Sequence, residues 1–398
     1  MTLYGIYYVK RNQGGAAMRI AILGAGPAGL YAAILIRRAN PKAQIRVVEQ
    51  NPRDATFGFG VVFSDEAMGF LRADDPETAD LIEPAMARWS DIHVVHKGQR
   101  VVIDGVGFSG IGRLELLQLL QDRAAALGIH PDYETRVESP ANLEPADLII
   151  GADGLNSVVR AEDPAAFGEE IGCLNNRFIW YGCDREFDAL TQSFVETPAG
   201  RMNAHHYTYS PGRGTFIIEM TPETFATTGF AEMDEPAYRA VCEEWFAGPL
   251  RGGRLIPNNS VWRRFPKLSC ATWHKGNRVL VGDALHTAHF SIGSGTRLAL
   301  EDVIALVKAL EAEGWDVARA LPAYQAARQP VLEKLVGAAR RSADWYEDFV
   351  RHMDLDPLPF ALSYIRRAGR LSPDRLRRLS PRFTARLEAE GIDLGAAA

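Results

Sequence analysis

Three glycines spaced as Gly24-x-Gly26-x-x-Gly29 stand between a short apolar run and a helix-forming segment. The first glycine allows a tight turn, the second lets the backbone approach a phosphate, and the third lets the helix pack closely on the strand. Pro27 and Ala28 complete the turn. Because free N–H groups at the start of a helix favour negative charge, the pattern predicts a pyrophosphate site here.

An acidic residue, Glu49, follows the last glycine by 20 residues and ends a second apolar run over residues 44–49. Its carboxylate can accept hydrogen bonds from a ribose hydroxyl. Strand, glycine turn, helix, strand and acid together have the order of a dinucleotide-binding βαβ unit, which leaves FAD and NAD open. The sequence has one such motif after a strand, so a two-domain nicotinamide dehydrogenase is disfavoured.

Composition and charge narrow the class of protein. The chain has 398 residues and a net charge of −6, so general binding to nucleic acid or to a membrane is not expected. Four cysteines form no Cys-x-x-Cys pair, which argues against a metal site and favours a cytoplasmic protein. Residues 1–17 lack the order of a secretion signal and are expected to be a disordered extension.

The order of the predicted elements indicates an α/β (α+β) fold class. Residues 18–175 alternate strand and helix patterns, residues 176–272 are rich in aromatic strand patterns, and residues 273–345 return to the first character. Residues 346–398 are typical of a helical tail. We therefore predict a Rossmann-like nucleotide-binding domain in two parts, an inserted β-sheet domain for the substrate, and a C-terminal helical region.

Local patterns carry more specific predictions. A leucine stripe predicts an amphipathic helix over residues 113–127, and residues 201–209 and 215–220 flank a Ser-Pro-Gly-Arg-Gly turn that predicts a hairpin. Another helix is expected over residues 296–310. The helical region beyond it has four prolines at which breaks are expected: Pro322, Pro330, Pro357 and Pro359.

Two further strand ends carry unusual turns. One holds Asp153 in Gly-Ala-Asp-Gly, and the other holds Asp283 in Gly-Asp-Ala, with Gly293 and Gly295 at the helix start that follows. Singly, each could equally be an ordinary turn, because Asp-Gly occurs in turns of many kinds. Together with the glycine motif, and in this order, they resemble the FAD-binding set of the single-component flavoprotein aromatic hydroxylases.

That resemblance implies non-covalent FAD, with NAD(P)H as a transient reductant and O2 as the oxygen source. It places Asp283 on the flavin ribityl chain, Arg113 in contact with the flavin, and Asp153 near the pyrophosphate. A carboxylate suits polyol hydroxyls, and a helix start offers N–H groups to the flavin carbonyls. The reaction it implies proceeds through a flavin C4a-hydroperoxide that attacks an electron-rich aromatic ring.

A departure from the wider family points to a narrower branch. The usual proline after Gly-Asp-Ala-x-His is missing, and residues 289–296 read His-Phe-Ser-Ile-Gly-Ser-Gly-Thr. This run resembles a branch that acts on aryl-CoA thioesters or tryptophan, and residues 354–383 resemble its aryl-CoA members. The resemblance implies an aromatic acyl-CoA substrate, most simply salicylyl-CoA, whose C5 lies para to the phenol. Alternatives are 2-aminobenzoyl-CoA and a free aromatic such as tryptophan, and no fused reductase is expected.

One strand of the predicted hairpin supplies candidates for the substrate cavity. By its period of two, His205, Tyr207 and Tyr209 share a face. They form either a sheet face covered by aromatic residues or the lining of the cavity, and the branch resemblance favours the lining. His205 and Tyr207 are then the catalytic candidates, with His205 near the phenol. Tyr209 and Phe290 are substrate-binding candidates.

The tail carries eight arginines and one acid between residues 364 and 386, a local charge of +7. This basic region is either a solvated helix face or subunit contact, as in a homodimer, or it binds the phosphates of CoA. In the second interpretation Arg366, Arg367 and Arg370 bind the phosphates, and Lys267 is among the next candidates. An FAD-binding partner or sensor without turnover is the alternative from another class, which the intact flavin motifs disfavour.

Overall fold

The computed structural model describes residues 17–293, 295–369 and 371–395. Arg370 and nearly all of the predicted extension at residues 1–17 therefore lie outside the described residues. In chain order, the strands are β1 (Arg19–Leu23), β2 (Gln44–Val48), β3 (Gly60–Ser64), β4 (Ala87–Trp89), β5 (Ile92–His96), β6 (Gln99–Ile103), β7 (Phe108–Gly112), β8 (Leu148–Gly151), β9 (Glu169–Cys183), β10 (Leu190–Thr197), β11 (Gly200–Ser210), β12 (Arg213–Met220), β13 (Leu255–Ile256), β14 (Arg263–Cys270), β15 (His274–Lys275) and β16 (Arg278–Leu280).

The helices include both long helices that the sequence predicts. The helix over residues 113–127 is confirmed as α4, and the helix over residues 296–310 is confirmed as α10. In chain order, the helices are α1 (Pro27–Ala39), α2 (Asp65–Asp74), α3 (Pro76–Ile82), α4 (Arg113–Ala126), α5 (Val158–Ala161), α6 (Pro164–Phe167), α7 (Pro222–Thr228), α8 (Glu235–Trp245), α9 (Ala247–Leu250), α10 (Gly295–Ala312), α11 (Val317–Glu347), α12 (Phe349–His352), α13 (Pro357–Arg366), α14 (Pro373–Leu379) and α15 (Pro381–Ala389).

A five-stranded sheet in the order β15-β16-β8-β1-β2 forms the nucleotide-binding part. β1 is parallel to β2 and to β8, β8 is parallel to β16, and β15 pairs antiparallel at the edge. β1 and β8 are almost wholly buried, as parallel strands covered on both faces are. Because parallel strands end at the same edge, Gly24, Asp153 and Asp283, which follow β1, β8 and β16, lie along one edge of the sheet.

A second sheet has the order β13-β9-β12-β11-β10-β5-β6, with β14 also paired to β9, and β3, β7 and β4 form a small third sheet. The predicted hairpin is confirmed as β11 and β12, which pair antiparallel. β5 and β6 precede the predicted insert, yet they belong to this sheet because β5 pairs in parallel with β10. β9 runs across the predicted boundary at residue 175. The division at residues 175, 272 and 345 therefore stays a prediction.

The two faces of the second sheet meet different surroundings. One face packs apolar side chains such as Phe216 against Tyr238 and its neighbours on α8. His206 belongs to this face, where its ring stacks on Phe216 with centroids 5.0 Å apart. The neighbouring residues in sequence, His205 and Tyr207, point to the opposite face, where Tyr207 joins a core with the C-terminal helices. The predicted alternation along this strand is confirmed.

Helix α11 is 31 residues long and passes through Pro322 and Pro330. The prediction of breaks at these prolines is wrong, because side chains on both sides of Pro330 are anchored. Arg328 forms buried ion pairs with α10, and Leu332 is buried in the same core. This packing offsets the cost of an interior proline, about 3 kcal/mol. Over the described ranges, no helix is long and apolar enough to cross a membrane.

Candidate active site

The glycine turn has the shape that a bound pyrophosphate requires. Gly24 has a φ of +100°, and a side chain on it would overlap the carbonyl of Ala152, while one on Gly29 would overlap the carbonyl of Gly24. At Gly26 the same position is open. Helix α1 begins at Pro27 with no side-chain cap and no acid in its first turn among the described residues. Its first N–H groups are therefore available to an anion.

Glu49 is held beside this turn. One carboxylate oxygen accepts a hydrogen bond from the Ala25 N–H at 2.9 Å, and the other accepts from the backbone and side-chain N–H groups of Asn51, both at 2.8 Å. The side chain is only partly buried. Each oxygen has a further lone pair, so the carboxylate can also accept from a ribose hydroxyl next to the glycine turn.

Asp283 lies in the turn after β16, and its side chain is exposed although the turn is deep in the protein. It therefore faces an open cleft. Within the described residues its carboxylate has no hydrogen-bond partner. The surrounding protein raises the pKa of Asp283, and the nearby charges of His286 and Arg113 act in the opposite direction. An unpartnered carboxylate in a cleft is an acceptor for the hydroxyls of a polyol.

Arg113 begins helix α4, where its N–H donates to the carbonyl of Phe59 at 2.7 Å. Its guanidinium lies 5.6 Å from the centre of the Trp180 ring and, in the described part of the chain, its side chain makes no hydrogen bond. Burial lowers the pKa of Arg113, and the charge of Asp283 opposes this shift. A free guanidinium facing a free carboxylate leaves room for a group that binds to both.

Asp153 and the glycines near residue 294 complete the flavin motifs. One Asp153 oxygen accepts from the Val158 N–H at 2.7 Å, and the other is buried without a partner among the described residues. Burial raises the pKa of Asp153. Gly293 has a φ of +61° and lies against Val62, whereas the position of a side chain on Gly295, the first residue of α10, is open. Both places leave polar backbone or side-chain atoms for a ligand.

A buried ionic cluster, which the sequence analysis missed, supports the Asp283 turn. Asp302 on α10 accepts from the Gly282 N–H at 3.1 Å, from His286 Nε2 at 2.7 Å and from Arg328 Nε at 2.9 Å. Arg328 also pairs with Glu301 at 2.7 Å. A signal was available, because Asp302 lies four residues after Leu298 on the apolar stripe of a predicted helix, where an acid needs a partner.

His205 is buried, with 4% of its surface exposed, and neither ring nitrogen has a hydrogen-bond partner among the described residues. Burial lowers the pKa of His205 to about 3, and the charge of Arg367 adds to this. The imidazole is therefore neutral at physiological pH and is a weak base. It suits a hydrogen bond to a phenol better than the storage of a proton.

Tyr207 lies on the same face, but its hydroxyl already donates to the carbonyl of Gly60 at 2.8 Å. Burial raises the pKa of Tyr207. Its ring meets the edge of Trp89, with centroids 5.8 Å apart. The prediction that Tyr207 is catalytic needs correction, because its single proton is engaged in fixing β3 to the sheet. Tyr209 is partly buried beside Gly60 and also holds this strand in place.

Phe290 belongs to a group that we call the aromatic cluster: Phe178, His205, Phe265 and Phe290. Its ring centre lies 5.2 Å from that of Phe178, 6.0 Å from Phe265 and 6.5 Å from His205. β9, β11, β14 and the turn before α10 each contribute a ring. Three apolar rings around one neutral imidazole form surroundings suited to a planar aromatic ligand with a polar substituent.

The stability of the protein should depend on pH through these buried imidazoles. Burial lowers the pKa of His289, as of His205, to about 3. The unfolded chain then binds more protons between pH 3 and its ordinary value of about 6.5, so the free energy of unfolding rises with pH across this window. We expect a loss of up to about 1.4 kcal/mol per pH unit for each histidine on acidification.

Denaturation in urea at a series of pH values measures this slope. His205→Phe removes one of the two histidines and should make the slope shallower between pH 3 and 6.5. If the variant has the slope of the parent protein, the imidazole of His205 is not buried as described.

Comparison with known proteins decides the family. A family profile described as an FAD binding domain matches residues 114–339, more than half of the chain. The chain belongs to this family of flavoproteins. It is 37% identical over 362 residues to the salicyloyl-CoA 5-hydroxylase of a Streptomyces species, a match that covers 88% of this chain and 70% of that protein. It is 39% identical over 329 residues to the 3-hydroxy-4-methyl-anthranilyl-[aryl-carrier protein] 5-monooxygenase of Streptosporangium sibiricum, covering 83% and 89%.

The fold is that of a known group of oxygenases. The solved structure of 2-methyl-3-hydroxypyridine-5-carboxylic acid oxygenase matches with a TM-score of 0.68 and 20% identity, covering 91% of this chain and 98% of that one. The predicted fold class, with its FAD-binding domain and C-terminal helices, is confirmed. With relatives that are monooxygenases, the protein is a flavoprotein monooxygenase that uses FAD.

Arg367 in this monooxygenase lies inside, beside the aromatic cluster, and the prediction that it binds a CoA phosphate needs correction. Its guanidinium donates to the carbonyls of Tyr364 at 2.9 Å and Ser291 at 2.8 Å, and it stacks on the Tyr364 ring at 3.9 Å. Its charge contributes to lowering the pKa of His205 and of His289. These contacts direct the cation toward the cluster and away from the surface.

The rest of the basic tail is largely occupied. Arg366 donates to the carbonyl of Leu394 and is partly buried. Arg377 pairs with an acid on each of α14 and α15, and Arg382 pairs with Asp91 and with Asp104. These arginines tie the tail to the body of the protein, which favours a structural role for much of the basic region.

Proposed function

We propose that this monooxygenase hydroxylates the aromatic ring of an acyl-CoA thioester, with salicylyl-CoA as substrate and 5-hydroxysalicylyl-CoA as product. The observation that carries the proposal is the aromatic cluster with one neutral imidazole and one guanidinium beside it. It lies next to the flavin motifs, because Phe178 is two residues from Trp180, the ring that contacts Arg113. Similarity to a salicyloyl-CoA 5-hydroxylase supports the choice of substrate.

The residues present fit FAD. The uncapped start of α1 would hold the pyrophosphate, Glu49 the ribose, and Asp283 the ribityl chain, with Arg113 and the start of α10 at the flavin ring. Each of these has an acceptor or donor that the described protein leaves available. Bound FAD, reduced by NAD(P)H, supplies the electrophilic oxygen that the ring receives.

The residues of the aromatic cluster would orient the ring and exclude water. Phe178, Phe265 and Phe290 provide apolar contacts on several sides of a planar substrate. His205 would accept or donate a hydrogen bond at the phenol. Arg367 would lower the pKa of that phenol, because a nearby positive charge favours the phenolate. A phenolate is more electron-rich at its para carbon, which is C5 of the salicylyl group.

Asp283→Ala should lower FAD occupancy, since it removes charge-assisted hydrogen bonds worth about 1.5–3 kcal/mol each. We expect the affinity for FAD to fall at least about tenfold, as measured by flavin fluorescence during titration of the apoprotein. Asp283→Asn keeps the size and an acceptor, and should retain more FAD than the alanine variant. Full retention of FAD by both variants would refute the role of Asp283.

A thioester on a carrier protein is a second candidate substrate. The relative from Streptosporangium sibiricum is named for an anthranilyl group on an aryl-carrier protein, and its identity to this chain is 39%. CoA and carrier proteins present the acyl group on the same phosphopantetheine arm. The two candidates therefore make the same demand on the aromatic cluster and differ at the far end of the arm.

A panel of salicylyl donors tests the proposed function. We expect salicylyl-CoA to stimulate NAD(P)H oxidation and to yield the 5-hydroxy product, while free salicylate does little. Salicylyl-carrier protein, 2-aminobenzoyl-CoA and tryptophan complete the panel, with products identified by mass spectrometry and NMR. Equal stimulation by free salicylate, or hydroxylation at another carbon, would contradict the proposal, and faster turnover of the carrier-bound ester would favour the second candidate.

Three further features remain proposals. A cytoplasmic location is supported by four cysteines that form no disulfide. A homodimer is supported by the exposed part of the basic tail, where Arg375 and Arg378 have no ion-pair partner in the described residues. Analytical ultracentrifugation tests the second. NAD(P)H as a transient reductant accords with the single glycine motif of the sequence.

A further inference from the structure

A pocket of about 430 Å³ opens to the surface between the β9–β14 pair and helix α11. Leu174 and Leu268 line it from the strands, and Val336 and Ala339 line it from the helix. Its volume is within the usual range for small-molecule sites, about 300–1,000 Å³. None of the flavin motifs contributes to its lining, so the pocket is separate from the FAD site.

The inner end of this pocket reaches the aromatic cluster. His289 and Phe265 line it, with their ring centres 4.9 Å apart. The His289 ring lies 4.1 Å from that of Phe290, which in turn lies 6.5 Å from His205. A ligand that fills the pocket would therefore end against the rings that we assign to the substrate.

Four charged side chains surround the pocket. Lys267 and Arg340 are exposed and, over the described residues, neither has an ion pair or a side-chain hydrogen bond. Glu170 and Asp344 are the acids, and they too are exposed and unpaired there. The two cations differ from the tail arginines, many of which already have partners inside the protein. They are available to a phosphate, and the acids oppose that binding.

We propose that this pocket holds the phosphopantetheine arm of the thioester substrate, with its phosphate between Lys267 and Arg340. The inference rests on the proposed function. The arm is an uncharged chain of methylene and amide groups that ends in a phosphate, so apolar walls suit the chain and cations suit its end. The aryl thioester at the other end then lies against His289, next to the aromatic cluster.

Gly172→Trp tests the pocket by filling it. A side chain on this strand residue would meet no atom nearer than Lys267 Cε at 3.9 Å, so bulk can be added without overlap of the backbone. We expect KM for salicylyl-CoA to rise at least about tenfold. KM for the salicylyl thioester of N-acetylcysteamine, which lacks most of the arm, should stay within about twofold. Gly248→Trp, on the exposed helix α9, is the matched control and should change neither value.

Charge variants test the same site without added bulk. Lys267→Ala and Arg340→Ala should each raise KM for salicylyl-CoA by about tenfold at low salt, and less at high salt. Asp344→Asn should lower it. Arg375→Ala with Arg378→Ala removes the same charge from the tail and should have no effect. A larger effect of the tail variant, or an equal rise for both thioesters in Gly172→Trp, would overturn the proposal.

A binding measurement separates this inference from the proposed function. Benzoyl-CoA lacks the phenol, and its binding can be followed through the absorbance of bound FAD without turnover. Weaker binding of benzoyl-CoA to Gly172→Trp and Lys267→Ala supports the pocket even if salicylyl-CoA is not hydroxylated. Hydroxylation of salicylyl-CoA with unchanged benzoyl-CoA binding in these variants supports the function and overturns the pocket.

Discussion

His205→Ala should slow hydroxylation about 10²-fold while NAD(P)H oxidation continues, so that reduced oxygen is released as hydrogen peroxide. Acid–base assistance is usually worth about 10²–10⁴-fold. We expect the lower end, because the pKa of His205 is lowered to about 3 by burial and the imidazole acts as a hydrogen-bond partner of the phenol. The ratio of hydroxylated product to NAD(P)H consumed measures the coupling directly.

His206→Ala is the matched control for this variant. It removes the same group one residue away, from the opposite face, where His206 contacts Ser193 and stacks on Phe216. That change should cost stability and leave the coupling ratio as it is. If His205→Ala remains fully coupled, or if both variants uncouple alike, His205 belongs with the structural residues of the sheet.

The parts of the site that could be predicted from the sequence depend on local requirements. A positive φ at Gly24 and the close approach at Gly29 admit only glycine, so the spacing of these residues is itself the signal. Alternation along β11 likewise needs no knowledge of its partners, and it placed His205 and His206 on opposite faces. In both cases the geometry is decided within a few residues of the chain.

Contacts between distant segments could not be predicted in the same way. β5 joins the second sheet through β10, which lies about a hundred residues further along the chain, and no local pattern announces that pairing. Pro330 does not end α11, because Arg328 and Leu332 on either side are fixed by another helix. In each case packing across the chain decides the outcome, and local preference is overruled.

Arg367 illustrates the limit for charged residues. The sequence shows that the tail is basic, but it cannot show which arginine points inward. Arg366 and Arg367 are adjacent at the end of α13, and a turn of about 100° per residue sends their side chains in different directions. Arg367 meets two backbone carbonyls and the Tyr364 ring, and only these contacts assign it to the active site.

Asp302→Ala should destabilise the protein more than any surface substitution, by about 3–5 kcal/mol. The change leaves Arg328 buried with one carboxylate in place of two and removes the acceptor for His286 and for the Gly282 N–H. Breaking a buried charge pair on one side has this cost because the remaining charge stays desolvated. The midpoint of urea unfolding, followed by tryptophan fluorescence, measures the loss, and FAD should dissociate at lower urea because the turn that carries Asp283 loosens.

Asp74→Ala removes an exposed carboxylate that pairs with Lys308, and we expect it to cost less than about 1 kcal/mol. The effect of Asp302 should also depend on pH with a definite sign. Burial would raise the pKa of Asp302, but His286 and Arg328 together hold it below its ordinary value. Its contribution is therefore present at neutral pH and is lost as the pH falls below about 4. The gap between parent and Asp302→Ala should narrow there, and a gap as wide at pH 3 as at pH 7 would show that the stabilisation does not come from the charge of Asp302.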